Sequence, residues 1–171
     1  MAILNPIERA VRRDQWKKAR LLIRNALRKR PDDHWLLTRL SLTYYEEFDY
    51  KRSLRYSERA LALAPRCPLV LWDYAGTLEM LGQFKKAAIY YRRLVRRGLH
   101  SIANDDCGEG MVRARGLLAD CWYRLGNCER EMGRRSRAVQ HFKRHLSMRG
   151  PSCGSIYPVR TVKRELHELC A

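Results

Sequence analysis

Apolar residues along this chain recur at three- and four-residue spacing, in runs parted by short breaks that carry proline, glycine or acid, and the arrangement returns every 34 residues. From Trp35 to Gly98 it is used twice in succession: Leu40 recurs as Tyr74, Tyr44 as Leu78, Tyr50 as Phe84 and Ala60 as Leu94. A helix with one apolar stripe must bury that stripe. Self-similarity at this period therefore predicts helix-turn-helix units that bury their apolar faces against their neighbours in a helical solenoid.

In chain order, Asn5-Pro6 is a helix start, and a short helix is expected to about Arg13. Between Asp14 and Arg30, Trp16, Ala19, Leu22, Ile23, Ala26 and Leu27 lie at helical spacing, and Pro31-Asp32-Asp33 ends that helix and caps the next. Trp16, Ala19, Ala26 and Pro31 precede Tyr50, Ser53, Ala60 and Pro65 by one period. The following unit carries Leu71, Tyr74, Ala75 and Leu78 on its first helix, Gly82 at its turn, and Phe84, Ala87 and Tyr91 on its second. A fourth unit is displaced. Ala87 and Ala138 stand 51 residues apart, so 17 residues are inserted. Met111, Ala114, Leu118, Cys121, Trp122, Leu125, Cys128 and Met132 keep their spacing, which predicts one helix from about Gly110 to Met132. The loop before it runs from Asn104 to Glu109 with an acidic cap. Gly150-Pro151-Ser152-Cys153-Gly154 reads as another loop, followed by a final helix from Pro158 to Leu169 that caps the open end.

Trp16 to Pro31 and the whole of Asp33 to Pro65 resemble tetratricopeptide repeats. Trp122-x-x-Leu125-Gly126, Gly133, Ala138 and Phe142 are similar to the same family's W-x-x-L-G, turn glycine and A-x-x-x-F elements. Glu129 stands where the family has tyrosine and His145 where it has a small residue, so loosened packing is expected on that unit's far side. The resemblance covers about residues 6 to 149. It implies an all-α, right-handed α-solenoid of about four such units (2–33, 34–67, 68–101 and 119–150). An inserted extension at 102–118 and a C-terminal capping helix at 158–170 complete a single domain.

The resemblance also implies surfaces. First helices of the family line a concave groove, here Trp35, Thr38, Arg39, Leu42 and Tyr45, then Leu69, Trp72, Asp73, Gly76 and Glu79, then Tyr123, Arg124, Asn127 and Arg130. Aromatic residues in a concavity anchor peptides; the other reading is that Trp72 and Tyr123 pack against a neighbouring repeat or the inserted helix. The family's clamp for a C-terminal carboxylate, made of lysines and asparagines, is not visible: Thr38, Arg39, Leu42, Asp73 and Gly76 occupy its positions. Binding of chaperone tails is not expected.

Charge changes the picture. Of the 171 residues, 35 are Lys or Arg and 18 are Asp or Glu, a net charge of +17, with 27 arginines to 8 lysines. The second helices, taken as 14–30, 49–63, 83–97 and 133–149, hold 23 of the bases and three acids. A basic outer wall is predicted from Lys17, Lys18, Arg20, Arg24, Arg52, Arg55, Lys85, Lys86, Arg92, Arg93, Arg96, Arg97 and Arg134. Acid partners at i,i+4 are nearly absent, leaving these cations unneutralised within their own helices. The wall fits an acidic protein or the phosphates of a nucleic acid; arginine-rich codon usage would give the same composition.

Candidate chemistry adds little. The five histidines have no metal-binding spacing, no phosphate-binding glycine loop occurs, and Cys121 and Cys128 fall within an apolar stripe. Cys107 and Cys153, with Asp105, Asp106 and His100, are brought toward one end of the fourth unit, where a metal or redox site competes with ordinary loop cysteines. No catalytic residues, metal or cofactor are predicted, and the chain is not expected to be an enzyme. No membrane span is apparent, Met1-Ala2-Ile3-Leu4 does not open a signal peptide, and six cysteines without a C-x-x-C pair suit reduced thiols in the cytoplasm. The expected function is that of an adaptor holding a peptide or helix in its groove while the basic wall docks an acidic surface. The alternative is a nucleic-acid or ribonucleoprotein-associated factor.

Overall fold

The computed structural model describes residues 5–108, 110–150 and 153–170. The expected start at Met1 to Leu4, the predicted capping acid Glu109, and Pro151 and Ser152 of the predicted loop lie outside the described residues. Among those described, every regular element is an α-helix. The helices divide between two compact units, one ending at Leu81 and the other beginning at Gly82.

The first unit holds α1 (Pro6–Val11), α2 (Trp16–Lys29), α3 (His34–Tyr45), α4 (Tyr50–Leu63) and α5 (Pro68–Met80). Three of them are capped as short polar side chains dictate. The Asn5 oxygen accepts the Glu8 N–H at 2.8 Å, Asp33 that of Leu36 at 3.0 Å, and Asp49 that of Arg52 at 3.0 Å. Ile7, Ala10, Ala19, Ile23, Leu36, Leu40 and Tyr44 form one core, which is the stripe that the spacing of Trp16 to Leu27 predicts, seated on α1 and α3. Ala19 and Ser53 are wholly buried, one period apart.

The second unit holds α6 (Phe84–Arg97), α7 (Leu99–Ala103), α8 (Met111–Glu131), α9 (Arg135–Met148) and α10 (Val159–Cys170). The insertion resolves into the short α7, a loop, and the leading turns of α8, which runs unbroken as its spacing predicts. Those leading turns seat the chain that follows α9. A Cβ on Gly116 would lie 2.7 Å from the Gly154 carbonyl carbon, so only glycine admits the loop there. One turn further on, the Asp120 carboxylate accepts hydrogen bonds from the Ser155 hydroxyl and, at 3.3 Å, the Ile156 N–H.

The loosened packing expected around Glu129 and His145 is not what the structure shows. Both are wholly buried. Glu129 accepts from Arg92 on α6 and, at 3.3 Å, from Arg134 at the turn before α9. His145 places Nδ1 2.8 Å from the Ala119 carbonyl oxygen. Glu129 is satisfied by partners outside its own helix and His145 through Nδ1, while His145 Nε2 is buried without a hydrogen-bond partner among the described residues; both side chains are nonetheless wholly buried, so the unit stays close-packed.

Four turns between successive helices pass through the left-handed region, at Asp14 (φ 53), Phe48 (φ 62), Gly82 (φ 72) and Gly133 (φ 73). The first three stand 34 residues apart. Phe48 is the costly one: a non-glycine residue there gives up about 1–2 kcal/mol, and its ring is 77% exposed.

Gly126 marks the closest approach of α8 and α9. A Cβ on it would sit 2.4 Å from Cε1 of the wholly buried Phe142 ring. Gly126→Ala is therefore expected to lower unfolding stability by about 2 kcal/mol in urea denaturation. Adding Phe142→Leu, which shrinks the opposing ring, should make the double variant lose less than the sum of the two single losses.

Candidate interaction surfaces

In the first unit, α3 and α5 turn their most apolar stripes inward and leave a second line of large residues only partly covered. Trp35, Arg39 and Leu42 follow one another at four- and three-residue steps on α3, and Leu69 and Trp72 do so on α5; all five are half-buried. Arg39 is held in place: it pairs with Glu8 of α1 at 2.7 Å, and its guanidinium lies 5.4 Å from the Trp35 ring centre. Thr38, Gly76 and Glu79 are buried. Trp35 also packs against the α1–α3 core. Tyr45 turns toward the hairpin edge instead, its ring 5.4 Å from Tyr50, which in turn meets Phe48 at 6.3 Å. Glu47, Phe48, Asp49, Tyr50, Lys51 and Leu81 line an open hollow of about 450 Å³ there.

Beneath the α3–α5 face runs a hydrogen-bonded chain of small polar groups. Ser41 donates to Asp73 Oδ2 at 2.6 Å and lies 3.0 Å from the Ser53 hydroxyl, which lies 2.9 Å from that of Thr77. Thr77 donates to the Asp73 carbonyl at 3.0 Å. Burial pushes the Asp73 carboxyl up to about 7, against the opposing pull of the Ser41 hydrogen bond and the Arg39 charge.

In the second unit the corresponding face of α8 is covered. Tyr123 is only 7% exposed. Its ring stacks on Tyr157 at 4.0 Å, and its hydroxyl donates to Glu165 Oε1 on α10 at 2.8 Å. Arg130 Nη1 lies 3.5 Å from Glu165 Oε2, and the Arg124 guanidinium lies 5.6 Å from the Tyr157 ring centre. Burial is the largest influence on the Tyr123 hydroxyl, whose pKa it raises; Asn127 hydrogen-bonds that hydroxyl and opposes the rise. The structure places Tyr123, Arg124, Asn127 and Arg130 on one side of α8, where Tyr157 and Glu165 of the chain's C-terminal segment meet Tyr123, Arg124 and Arg130. What covers Tyr123 is neither a neighbouring repeat nor the inserted helix but Tyr157 and α10.

Of the predicted wall, Lys17, Lys18, Arg24, Arg52, Arg55, Lys85, Lys86, Arg93, Arg96 and Arg134 are exposed. Arg20, Arg92 and Arg97 are half-buried. Acids missing from their own helices reach four of these cations from elsewhere in the same unit. Glu47 pairs with Arg20 at 2.7 Å, Asp105 with Arg97 at 2.6 Å, and Glu129 serves both Arg92 and Arg134. Asp49 also pairs with Arg52 at 3.1 Å. Lys17, Lys18, Arg55, Lys85, Lys86 and Arg96 find no acid partner among the described residues. On α6, Lys85, Arg92 and Arg96 align in one row and Lys86, Arg93 and Arg97 in the next, covering about 16 Å of helix at 1.5 Å per residue. Open hollows of about 340 and 500 Å³ lie at the starts of α6 and α9, lined by Lys85 and Lys86 and by Arg134, Arg135 and Arg137.

All six cysteines carry thiols. Burial raises the Cys121 thiol well above its ordinary range. Cys153 lies beside Arg149, whose Nη1 donates to its sulfur at 3.8 Å. Sequence reasoning did not foresee the pairings across helices, the left-handed Phe48, or α10 lying on the α8 face; the apolar spacing of Val162, Leu166 and Leu169 was the one available signal for the last.

Residues 38–98 match a tetratricopeptide repeat family model, and residues 120–144 match a second. No curated protein matches the sequence. Among solved structures the chain is similar to the crystal structure of MamA, with a TM-score of 0.66 and 16% identity over 98% of this chain and 91% of that one. It is similar to MamA 41-end from Desulfovibrio magneticus RS-1, at 0.66 and 16% over 84% and 72%. The N-terminal domain of stress-induced protein-1 (STI-1) from C. elegans gives 0.59 and 19% over 81% and 94%. At these identities the likeness shows the fold, that of an all-α helical-repeat solenoid.

Asp73 supplies a test of the α3–α5 network. A carboxyl raised to about 7 in the folded chain, against roughly 4 when unfolded, binds its proton more tightly in the native state. Its contribution to stability is complete below the unfolded value and is lost as pH rises through about 7. Asp73→Asn should therefore gain stability relative to the parent chain between pH 4.5 and 8, measured by urea denaturation at both. An unchanged difference across that window would show that Asp73 is not held neutral.

Proposed function

Because the chain belongs to the tetratricopeptide repeat family, we propose that it is a non-catalytic adaptor whose first-helix faces hold a peptide or helix while its basic second helices dock an acidic surface. The observation that carries this reading is the half-buried line Trp35, Leu42, Leu69 and Trp72. These large apolar residues are left accessible by helices that already have a full inward stripe, as anchor positions of a binding groove would be. Arg39, fixed by Glu8 and Trp35, adds a charged contact of set direction.

Two things support an acidic partner. The unpaired bases are concentrated on the second helices, and the cations that could have been spread as loose surface charge are instead divided into structural pairs and an unneutralised remainder. Among the described residues no helix is long and apolar enough to cross a membrane. Six thiols support a reducing compartment, and we place the protein in the cytoplasm on that ground.

A second reading has its own observation, the double basic row along α6 with Lys85, Lys86 and Arg96 unneutralised. A row of that length suits successive phosphates of a nucleic acid, bound without sequence reading.

Affinity capture from lysate, with and without nuclease, separates the two. Under the adaptor reading, partners persist after nuclease treatment, and Leu42→Ala with Trp72→Ala releases them at least tenfold while the chain stays folded. If everything captured leaves with the nucleic acid, and Lys85→Glu with Lys86→Glu abolishes capture, the basic helices are the working surface. For an acidic protein partner, retention should also fall steadily as salt rises from about 50 to about 500 mM, in keeping with a Debye length that shrinks toward a few ångströms.

A further inference from the structure

The residues of α8 that match the family's groove positions are occupied by the chain's own C-terminal helix. Val162 is wholly buried against Tyr123, Ala138 and Phe142, with Leu166 and Leu169 packed half-buried beside it. Between these apolar contacts Glu165 enters as a single carboxylate, taken by the Tyr123 hydroxyl at 2.8 Å and faced by Arg130 at 3.5 Å. Arg135 holds the far end of the helix through the Leu169 carbonyl. Apolar residues at three steps and one acid among them are the contacts of a peptide helix in a groove.

The fit is imperfect in two ways. Val162 is the one wholly buried residue of α10, so little apolar surface holds the helix in place. Asn127 Oδ1 is buried without a hydrogen-bond donor among the described residues, a state that costs about 1–3 kcal/mol, and Glu165 Oε2 has only the long 3.5 Å ion pair to Arg130. The outward side of α10 carries Arg160, Lys163, Arg164 and His167 with one acid, Glu168, 3.8 Å from Arg164, so it is net basic in a chain whose total charge is +17. An occupant with the same inward side and an acidic outward side would keep every contact and lose the repulsion.

We propose that α10 is a displaceable resident of a helix-binding site formed by α8 and α9, and that the site's partner in trans is an acidic amphipathic helix with an apolar-x-x-Glu-apolar-x-x-apolar face. This rests on the reading of first-helix faces as ligand-binding. It concerns the second unit alone, so the Leu42 and Trp72 variants can succeed while it fails. A second copy's α10 is disfavoured as the occupant, because it brings its own basic side and another strongly positive chain.

The probe is a fluorescent peptide of residues 158–170 carrying Arg160→Glu, Lys163→Glu and Arg164→Glu, titrated into the full-length chain. The parent chain should bind it weakly. Full-length Val162→Asp, which removes the resident's main anchor, should bind at least tenfold more tightly, since occupation in cis reduces apparent affinity by the fraction of open sites. Arg130→Glu in that background should abolish binding, and the peptide bearing Glu165→Arg should restore it. Equal affinity of the parent chain and Val162→Asp, or no rescue by the charge swap, overturns the proposal. So does loss of the fold in Val162→Asp, which would make α10 an integral part of the unit. In the unmodified chain, saturating peptide should speed amide hydrogen exchange in α10 while leaving α9 protected; unchanged α10 protection with bound peptide also overturns it.

Discussion

The contact that everything else depends on is the meeting of paired helices at a residue too small to hold them apart. Within the two units, Ala19, Ser53 and Ala138 open the second helices of three pairs, and none retains any exposed surface. Interiors at crystal-like density leave no slack at such points, and Gly126 against the Phe142 ring is the extreme case. The same constraint explains why 17 extra residues are accommodated. They enter ahead of the fourth pair's contact residues, as α7, a loop and the leading turns of α8, so the spacing that governs close approach is undisturbed. The added turns then gain a use of their own by seating the chain around Gly154 to Ile156.

A second rule governs the buried networks, that their polar groups are met by partners from other helices. In the first unit Ser41, Ser53, Thr77 and Asp73 satisfy one another across three helices. In the second, Glu129 lies without exposure between two arginines, an arrangement in which removing both partners would strand a buried charge at a cost of about 3–5 kcal/mol. Replacing the whole set by well-packed apolar groups could be neutral, so these ions are better regarded as fixing one arrangement of α6, α8 and α9 than as a surplus of stability.

That rule also marks where the sequence was legible and where it was not. Helix positions followed from local spacing: Met111 to Met132 predicted α8, and Pro158 to Leu169 predicted α10 to within a residue at each end. By contrast, Arg92 and Glu129 are 37 residues apart, and no spacing rule connects residues brought together only by packing. Glu129 looked like a defect in the pattern because its partners were invisible. What covers Tyr123 was likewise invisible, because it depends on where a loop returns the chain. Phe48 was hidden for another reason: its conformation is imposed by the turn, which glycine adopts without cost at 82 and 133.

The two cations divide their tasks between them. Arginine supplies the pairs that join elements, at Arg20, Arg92, Arg97 and Arg134, as suits a rigid fork that meets carboxylates with little loss of freedom. Lysine is gathered at the opening turns of the second helices: Lys17, Lys18, Lys51, Lys85 and Lys86 are five of the chain's eight, and all are exposed. An amine can be acylated under mild conditions, whereas a guanidinium resists it. Acetylation would thus erase the charge of these edges while leaving the ion pairs that hold the helices together intact, which makes the outer field of this protein chemically separable from its architecture.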